Sequence, residues 1–205
     1  MRYAIFSDIH ANLEALEAVM AAYKKESVDA YLCLGDIVGY AADPNECVRR
    51  VNLVSQCSLA GNHDRAALGL FSEACFNDAA AEAISWTRTQ IDQAGISFLA
   101  SLSLSYENKD LALAHGTLHE PQEFHYMEDS LTAERSFRLL EREICFVGHT
   151  HVPGVFILGE EGGAHCGSYE SFQIKKGNKY IVNVGSVGQP RDLDPRAAYC
   201  IYDTK

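Results

Sequence analysis

Five short apolar runs in this 205-residue chain each end in residues able to hold a metal ion. Asp8 and His10 follow the first run in "SDIH", Asp36 follows the second in "GDIVGY", and Asn62, His63, Asp64 and Arg65 follow the third in "GNHDR". His115 follows the fourth run, and His149 and His151 stand two apart in "FVGHTHVPG" after the fifth. Carboxylate, amide and imidazole are the oxygen and nitrogen donors that suit borderline divalent metals. A strand continuing through His149 and His151 would turn both rings to one face. Gly148 instead closes the run and puts the pair on the loop leaving its carboxyl end, the edge where ligands gather in α/β sheets. Singly, Asp8 and Asp36 also suit helix caps, Asn62 a turn, and His63 and His115 hydrogen-bonded rings. Their recurrence at five strand ends points to one site.

The elements that must position these residues alternate between β-rich runs and amphipathic helices. Arg2 to Ser7 reads as a strand, Ala11 to Lys25 as a helix with an apolar stripe of Leu13, Leu16, Met20 and Tyr23, and Ala30 to Leu34 as a second strand. Asp43 is placed to cap a helix whose first residue is Pro44. Ser58 to Ala60 reads as a strand, Asp78 to Gln93 as a helix capped by Asn77, Leu111 to Ala114 as a strand, Ser130 to Glu141 as a helix, and Ile144 to Val147 as a strand. From Gly154 onward, "VFIL", "SFQIKK", "KYIVNVGS" and "AYCIYD" predict an antiparallel second half. The expectation is one domain over 1–205, an α/β sandwich of two packed sheets with helices outside.

Composition narrows the class. With 47% hydrophobic and 22% charged residues the chain reads as globular. No apolar run approaches the roughly 18 residues of a membrane span. "MRYAIFSD" meets an acid at residue eight, too early for a secretory leader, so the expected address is cytoplasmic. Seven scattered cysteines without a CxxC pair read as small core hydrophobes in a reducing compartment. A formal charge of -11 and the lack of a basic run argue against long nucleic acid, while an acidic, imidazole-rich cluster suits a metalloenzyme.

D-x-H at Asp8 and His10, "GD" at Gly35 and Asp36, "GNHD" at Gly61 to Asp64, His115 before Gly116, and "GHTH" at Gly148 to His151 resemble, in order, the five motifs of the calcineurin-like metallophosphoesterases. The tail "NVGSVGQPRD", Asn183 to Asp192, is similar to that of the small prokaryotic members. The resemblance implies an α/β/β/α sandwich of two mixed β-sheets flanked by helices. It also implies two divalent transition-metal ions, one on Asp8, His10, Asp36 and His151, the other on Asp36, Asn62, His115 and His149. Manganese comes first among the metals, with iron, zinc and nickel admissible. A hydroxide held between the metals would attack phosphorus. His63 would protonate the leaving group, and Asp64 would hold the other nitrogen of its ring. Arg65 and Arg191 are candidate phosphate contacts.

The second motif departs from part of the family. Gly39 and Tyr40 stand where phosphoprotein phosphatases and symmetrical dinucleoside tetraphosphatases carry a phosphate-clasping arginine. The expected activity is therefore a phosphodiesterase acting on a small or nucleotide-like ester. A phosphomonoesterase (phosphatase) or nucleotide pyrophosphatase is the alternative, and a non-catalytic scaffold the minor one. The expected partner is a small phosphate ester, without membrane attachment, and an oligomer is admissible. Gly116 to Ser130 is a fifteen-residue connection too aromatic for ordinary disorder. It is expected to form a substrate wall, with Phe124 or Tyr126 against the leaving group and His119 near its phosphate. Packing of these rings onto the protein itself or a partner copy is the alternative.

Overall fold

The first strand shows why the chain layers as it does. In β1 (Arg2–Phe6), Tyr3 and Ile5 join one hydrophobic cluster while Ala4 and Phe6 join another, as the two-residue period of a strand requires when both faces are covered. The fold is a computed structural model, and it describes residues 1–160, 162–168 and 170–205. β1 pairs in parallel with β2 (Ala30–Cys33), which pairs in parallel with β3 (Cys57–Ser58); β10 (Cys200–Asp203) closes the other edge antiparallel to β1. The second sheet has the order β4 (Ser105–Glu107), β5 (Ala112–Ala114), β6 (Ile144–Val147), β9 (Lys179–Asn183), β7 (Gly154–Leu158), β8 (Ala164–Gly167).

Tyr3, Ile5, Leu32 and Leu34 meet Leu113, Ile144, Phe146 and Val182 between the sheets. Outside the first sheet, Ala4 and Phe6 pack on α1 (Leu13–Tyr23) and α2 (Pro44–Val54), with Leu99 of α5 (Gln93–Ala100) in the same cluster. Outside the second, Ala112, Cys145 and Ile181 pack on Ala133 and Phe137 of α6 (Ser130–Leu139). This is the α/β sandwich of two mixed sheets expected from the sequence.

Several local expectations need correction. The predicted helix over Asp78 to Gln93 ends sooner, as α4 (Asp78–Gln90), because Ile91 turns extended and Asp92 caps α5 by accepting from the Gly95 amide at 2.8 Å. α3 (Asn62–Ala67) forms inside the third motif, and "SFQIKK" is not a strand. The second half is not purely antiparallel: β9 runs parallel to β6, and β10 crosses to the first sheet. A strand's partner is a long-range property that its own residues do not carry. Asp43 precedes α2 without a side-chain cap bond, whereas Asn77 caps α4 through Ala80.

Tyr23 ties the outer helix to the sheet. Its hydroxyl, fully buried, lies 2.8 Å from the carbonyl oxygen of Ile5 and 3.2 Å from that of Cys200. Tyr23→Phe removes the one hydroxyl proton shared between these carbonyls, and should lower unfolding stability by about 1–3 kcal/mol in denaturant titration.

Candidate metal centre

β1, β2, β3, β5 and β6 all deliver their carboxyl ends to one edge of the sandwich, and the loops leaving them interlock. The amide of Asp8 donates to the carbonyl of Gly35 at 3.0 Å, and that of His10 to the carbonyl of Asp36 at 2.9 Å. Asp8, His10, Asp36, His149 and His151 all have left-handed backbones, with φ between 50° and 68°. Each such position costs a non-glycine residue about 1–3 kcal/mol and persists only where its surroundings enforce it.

Two sets of donor atoms result, Asp8, His10, Asp36 and His151 in one and Asp36, His115 and His149 in the other, all buried and within 4.8 Å of one another in each set. Backbone carbonyls set the imidazole tautomers, since a carbonyl can only accept. The Nδ1 atoms of His10, His115 and His151 donate to Val38, Leu34 and Gln189 at 3.3, 2.9 and 2.6 Å. Their Nε2 lone pairs therefore face inward. The Nε2 atoms of His10 and His151 approach to 3.1 Å, and Asp8 Oδ1 lies 3.2 Å from the latter. His115 Nε2 lies 3.4 Å from Asp36 Oδ2. Acceptor faces acceptor throughout. Asp8 Oδ1, Asn62 Oδ1, His115 Nε2 and His149 Nε2 are buried without a hydrogen-bond partner. Such a set needs cations, so the residues fit divalent metals.

The electrostatics carry the same signature. Burial opposes the charge on Asp36, but the imidazoles of His115 and His63 outweigh it and hold its carboxyl well below the usual range. Asp8 is likewise held down, by His151 against burial. Burial works against a proton on His115 too, yet Asp36 and Asp8 raise it to about 9. The same two carboxylates that favour a proton on the His115 ring would favour a cation beside its neutral Nε2. Burial and His115 push His149 down to about 3.

A sequence profile described as the calcineurin-like phosphoesterase superfamily domain matches residues 1–205. The chain belongs to this superfamily. An uncharacterized protein of Methanocaldococcus jannaschii is 40% identical over 209 residues, covering 98% of this chain and 82% of its own. The crystal structure of a metallophosphoesterase from Sphaerobacter thermophilus superposes with a TM-score of 0.84 at 38% identity, covering 100% of this chain and 84% of that one. A hypothetical protein of Pyrococcus horikoshii shares the fold, with a TM-score of 0.67 at 18% identity over 91% of this chain and 77% of its own.

In this phosphoesterase-superfamily chain the donor atoms open onto a cleft of about 630 Å³. Asp36, Asn62, His63, His149 and His151 line it, as do Phe124, Tyr126 and Arg191. Arg65 and His119 do not. Arg65 stands one turn along α3 from the end that meets the cleft. His119 is on the outgoing limb of the 116–130 connection, held by Glu120 at 3.2 Å. The chain then reverses through Glu120 and Phe124, both left-handed, around a 3₁₀ turn at Pro121–Glu123, so that only the returning limb reaches the cleft. There Tyr126 stacks on His149 at 4.1 Å. Phe124 is buried and edge-on to Phe71 at 5.2 Å, locking the limb down.

Asp64 does not hold His63. As the third residue of α3, it accepts from the Gly61 amide at 3.0 Å through Oδ2, and from Ile37 and Val38 at 2.9 and 3.1 Å through Oδ1. It braces the second motif onto the third. Burial and the neighbouring Asp36 push its carboxyl up to about 7. His63 Nδ1 has no hydrogen-bond partner; His10, Tyr40 and Phe76 wedge the ring at centroid distances of 4.6, 4.8 and 4.9 Å. Gly39 leaves room for it, as a Cβ there would lie 2.5 Å from Nδ1.

The tail 183–191 clamps the motifs, a role its residue types did not reveal. Ser186 Oγ donates to the carbonyl of Asp8 at 2.8 Å, and Arg191 N donates to that of His151 at 3.2 Å. Asn183 Nδ2 donates to the Gly148 carbonyl at 2.7 Å and Thr150 Oγ1 at 2.8 Å, while its oxygen accepts from Gly185 N at 2.9 Å. Gly148 needs this precision because a Cβ on it would lie 2.4 Å from Asp8 Oδ2. Asn183→Ala leaves the buried Gly185 amide without its acceptor and the Gly148 carbonyl with only the Thr150 amide, and should cost about 1–3 kcal/mol of stability, measured by chemical denaturation.

Proposed function

We propose that residues 1–205 form one metal-dependent phosphoesterase domain, acting as a phosphodiesterase on a small or nucleotide-like ester. The observation that carries this reading is the convergence of Asp8, Asp36 and four imidazoles with their inward atoms short of donors. In this reading Asp8, His10, Asp36 and His151 hold one cation and Asp36, Asn62, His115 and His149 the other. Bound there, two divalent cations would neutralise the phosphoryl oxygens and activate water as a nucleophile near neutral pH.

The chain's own groups do the rest. Asp36 is suited to bridging because its Oδ1 is anchored by the His63 amide at 2.8 Å while Oδ2 faces His10 and His115. His63 lines the cleft and gives a proton to the leaving oxygen as the phosphorus–oxygen bond breaks and a water oxygen bonds to phosphorus. Asp64 acts on this step at one remove, by fixing the loop on which Asp36 and Tyr40 sit. Arg191 is the phosphate contact that replaces the missing arginine of the second motif: its Nη2 lies 3.5 Å from the hydroxyl of Tyr40 and 2.9 Å from Gln189 Oε1. The cleft has room beyond the donor atoms for a second ester substituent, as a diester requires. A solved structure described as an archaeal phosphodiesterase has the same fold, at 13% identity.

Elemental analysis after reconstitution with manganese should find two ions per chain, and Asp36→Asn should lose metal and turnover together. A chain that binds no metal at Asp36 would refute the reading. His63→Ala should keep its metal and lose roughly 10²–10⁴-fold in rate on esters with poor leaving groups, and much less on good ones. Equal losses on both would remove the proton-donor role.

A further inference from the structure

The connection 70–77, between α3 and α4, contributes Phe71, Cys75, Phe76 and Asn77 to the cleft, and nothing in the proposed chemistry uses them. Phe76 sits edge-on to His63 with centroids 4.9 Å apart at 78°. Phe71 continues the wall, 5.8 Å from Phe76 at 87°. Phe124 extends it, 5.2 Å from Phe71. From the other direction, Tyr40 packs on His63 at 4.8 Å and carries the guanidinium of Arg191 on its hydroxyl. A continuous line of contacts therefore crosses the site from a cation, Arg191, through Tyr40 and His63 to an aromatic wall.

Arg191 is the arginine that lines the cleft. Its side-chain partners are neutral, Gln189 and Tyr40, in a chain of net charge -11 where Arg2, Arg49, Arg50, Arg88, Arg142 and Arg196 each meet a carboxylate. An uncompensated guanidinium on neutral supports is an anion contact. Phe71 and Phe76 are only half-buried, which leaves ring surface facing the cleft.

We propose that Phe76 and Phe71 form the seat for the leaving group of the diester, and that this group is planar and aromatic, of the nucleoside class. The inference rests on the reading of His63 as proton donor: the leaving oxygen must lie within reach of His63, and the group attached to it then falls on Phe76. The retained, anionic half lies toward Arg191. The sequence alone points to Tyr126 or Phe124 as the leaving-group wall; Phe124 is the far end of this wall, behind Phe71, and Tyr126 stacks on His149, whereas Phe76 is the ring in contact with His63.

Adenosine 5′-(methyl phosphate) tests this directly, because its two ester oxygens leave with similar intrinsic ease and the products record which substituent occupied the seat. The metal-loaded protein should release adenosine and methyl phosphate. Phe76→Ala should erode that preference and reduce kcat/KM about tenfold, while Phe76→Trp should retain it. Phe76→Leu, with melting temperature and metal content checked, separates lost stacking from lost folding. Adenosine binding, measured by calorimetry, should weaken about tenfold in Phe76→Ala, which reads the seat without turnover. Methanol and adenosine monophosphate as main products would overturn the inference while leaving the phosphodiesterase reading intact. No turnover of any phosphate ester, with adenosine binding still dependent on Phe76, would remove the activity and keep the seat. Adenosine binding indifferent to Phe76 would overturn the seat whatever the activity.

Discussion

The structure is organised around an electrostatic debt: Asp8 and Asp36 are completely enclosed, and the groups nearest their inner oxygens are imidazole nitrogens whose lone pairs point the same way. Burying a carboxylate without compensation is among the costliest things a fold can do. The outer oxygens are settled by backbone amides, Asp8 Oδ2 by His149 and Asp36 Oδ1 by His63. The inner ones are left to cations. Three of the four rings, His10, His115 and His151, are oriented by a carbonyl behind them, so the arrangement is directional rather than a loose acidic patch.

Holding like-charged groups together requires strain elsewhere. Five of the polar residues at this edge have a backbone that favours glycine, and the loops carrying them are locked to one another by main-chain bonds and to the tail by Ser186 and Asn183. The sandwich makes this possible. Its two sheets share one hydrophobic interior, so the carboxyl ends of strands from both meet at one place. The stability of that interior is what maintains the strained edge.

Around the donor atoms the cleft divides its labour by chemistry. Arg191 and Tyr40 supply the polar side, Phe71 and Phe76 the apolar side, and His63 stands between them. His63 is held by packing rather than by a carboxylate, because Asp64 is committed to three amides. A ring wedged among His10, Tyr40 and Phe76 has its position fixed, while burial lowers its affinity for a proton and the nearby Asp36 opposes that.

What the sequence determined by itself was local and chemical. Strand ends marked by a polar residue after an apolar run placed Asp8, Asp36, His115 and His149 at one edge, and the alternation of runs and amphipathic stripes placed two sheets between helices. The ordered motifs carried the family. Partners were decided by the tertiary structure alone: that β9 lies parallel to β6, that Asp64 braces the second motif instead of His63, that the tail clamps the first and fifth motifs, and that Phe76, more than ten residues from any motif histidine in the chain, packs on His63. A residue's type states what it can bond to. Which of several equivalent donors, rings or strands it meets depends on packing between segments far apart in sequence, and that is settled only when the whole core closes.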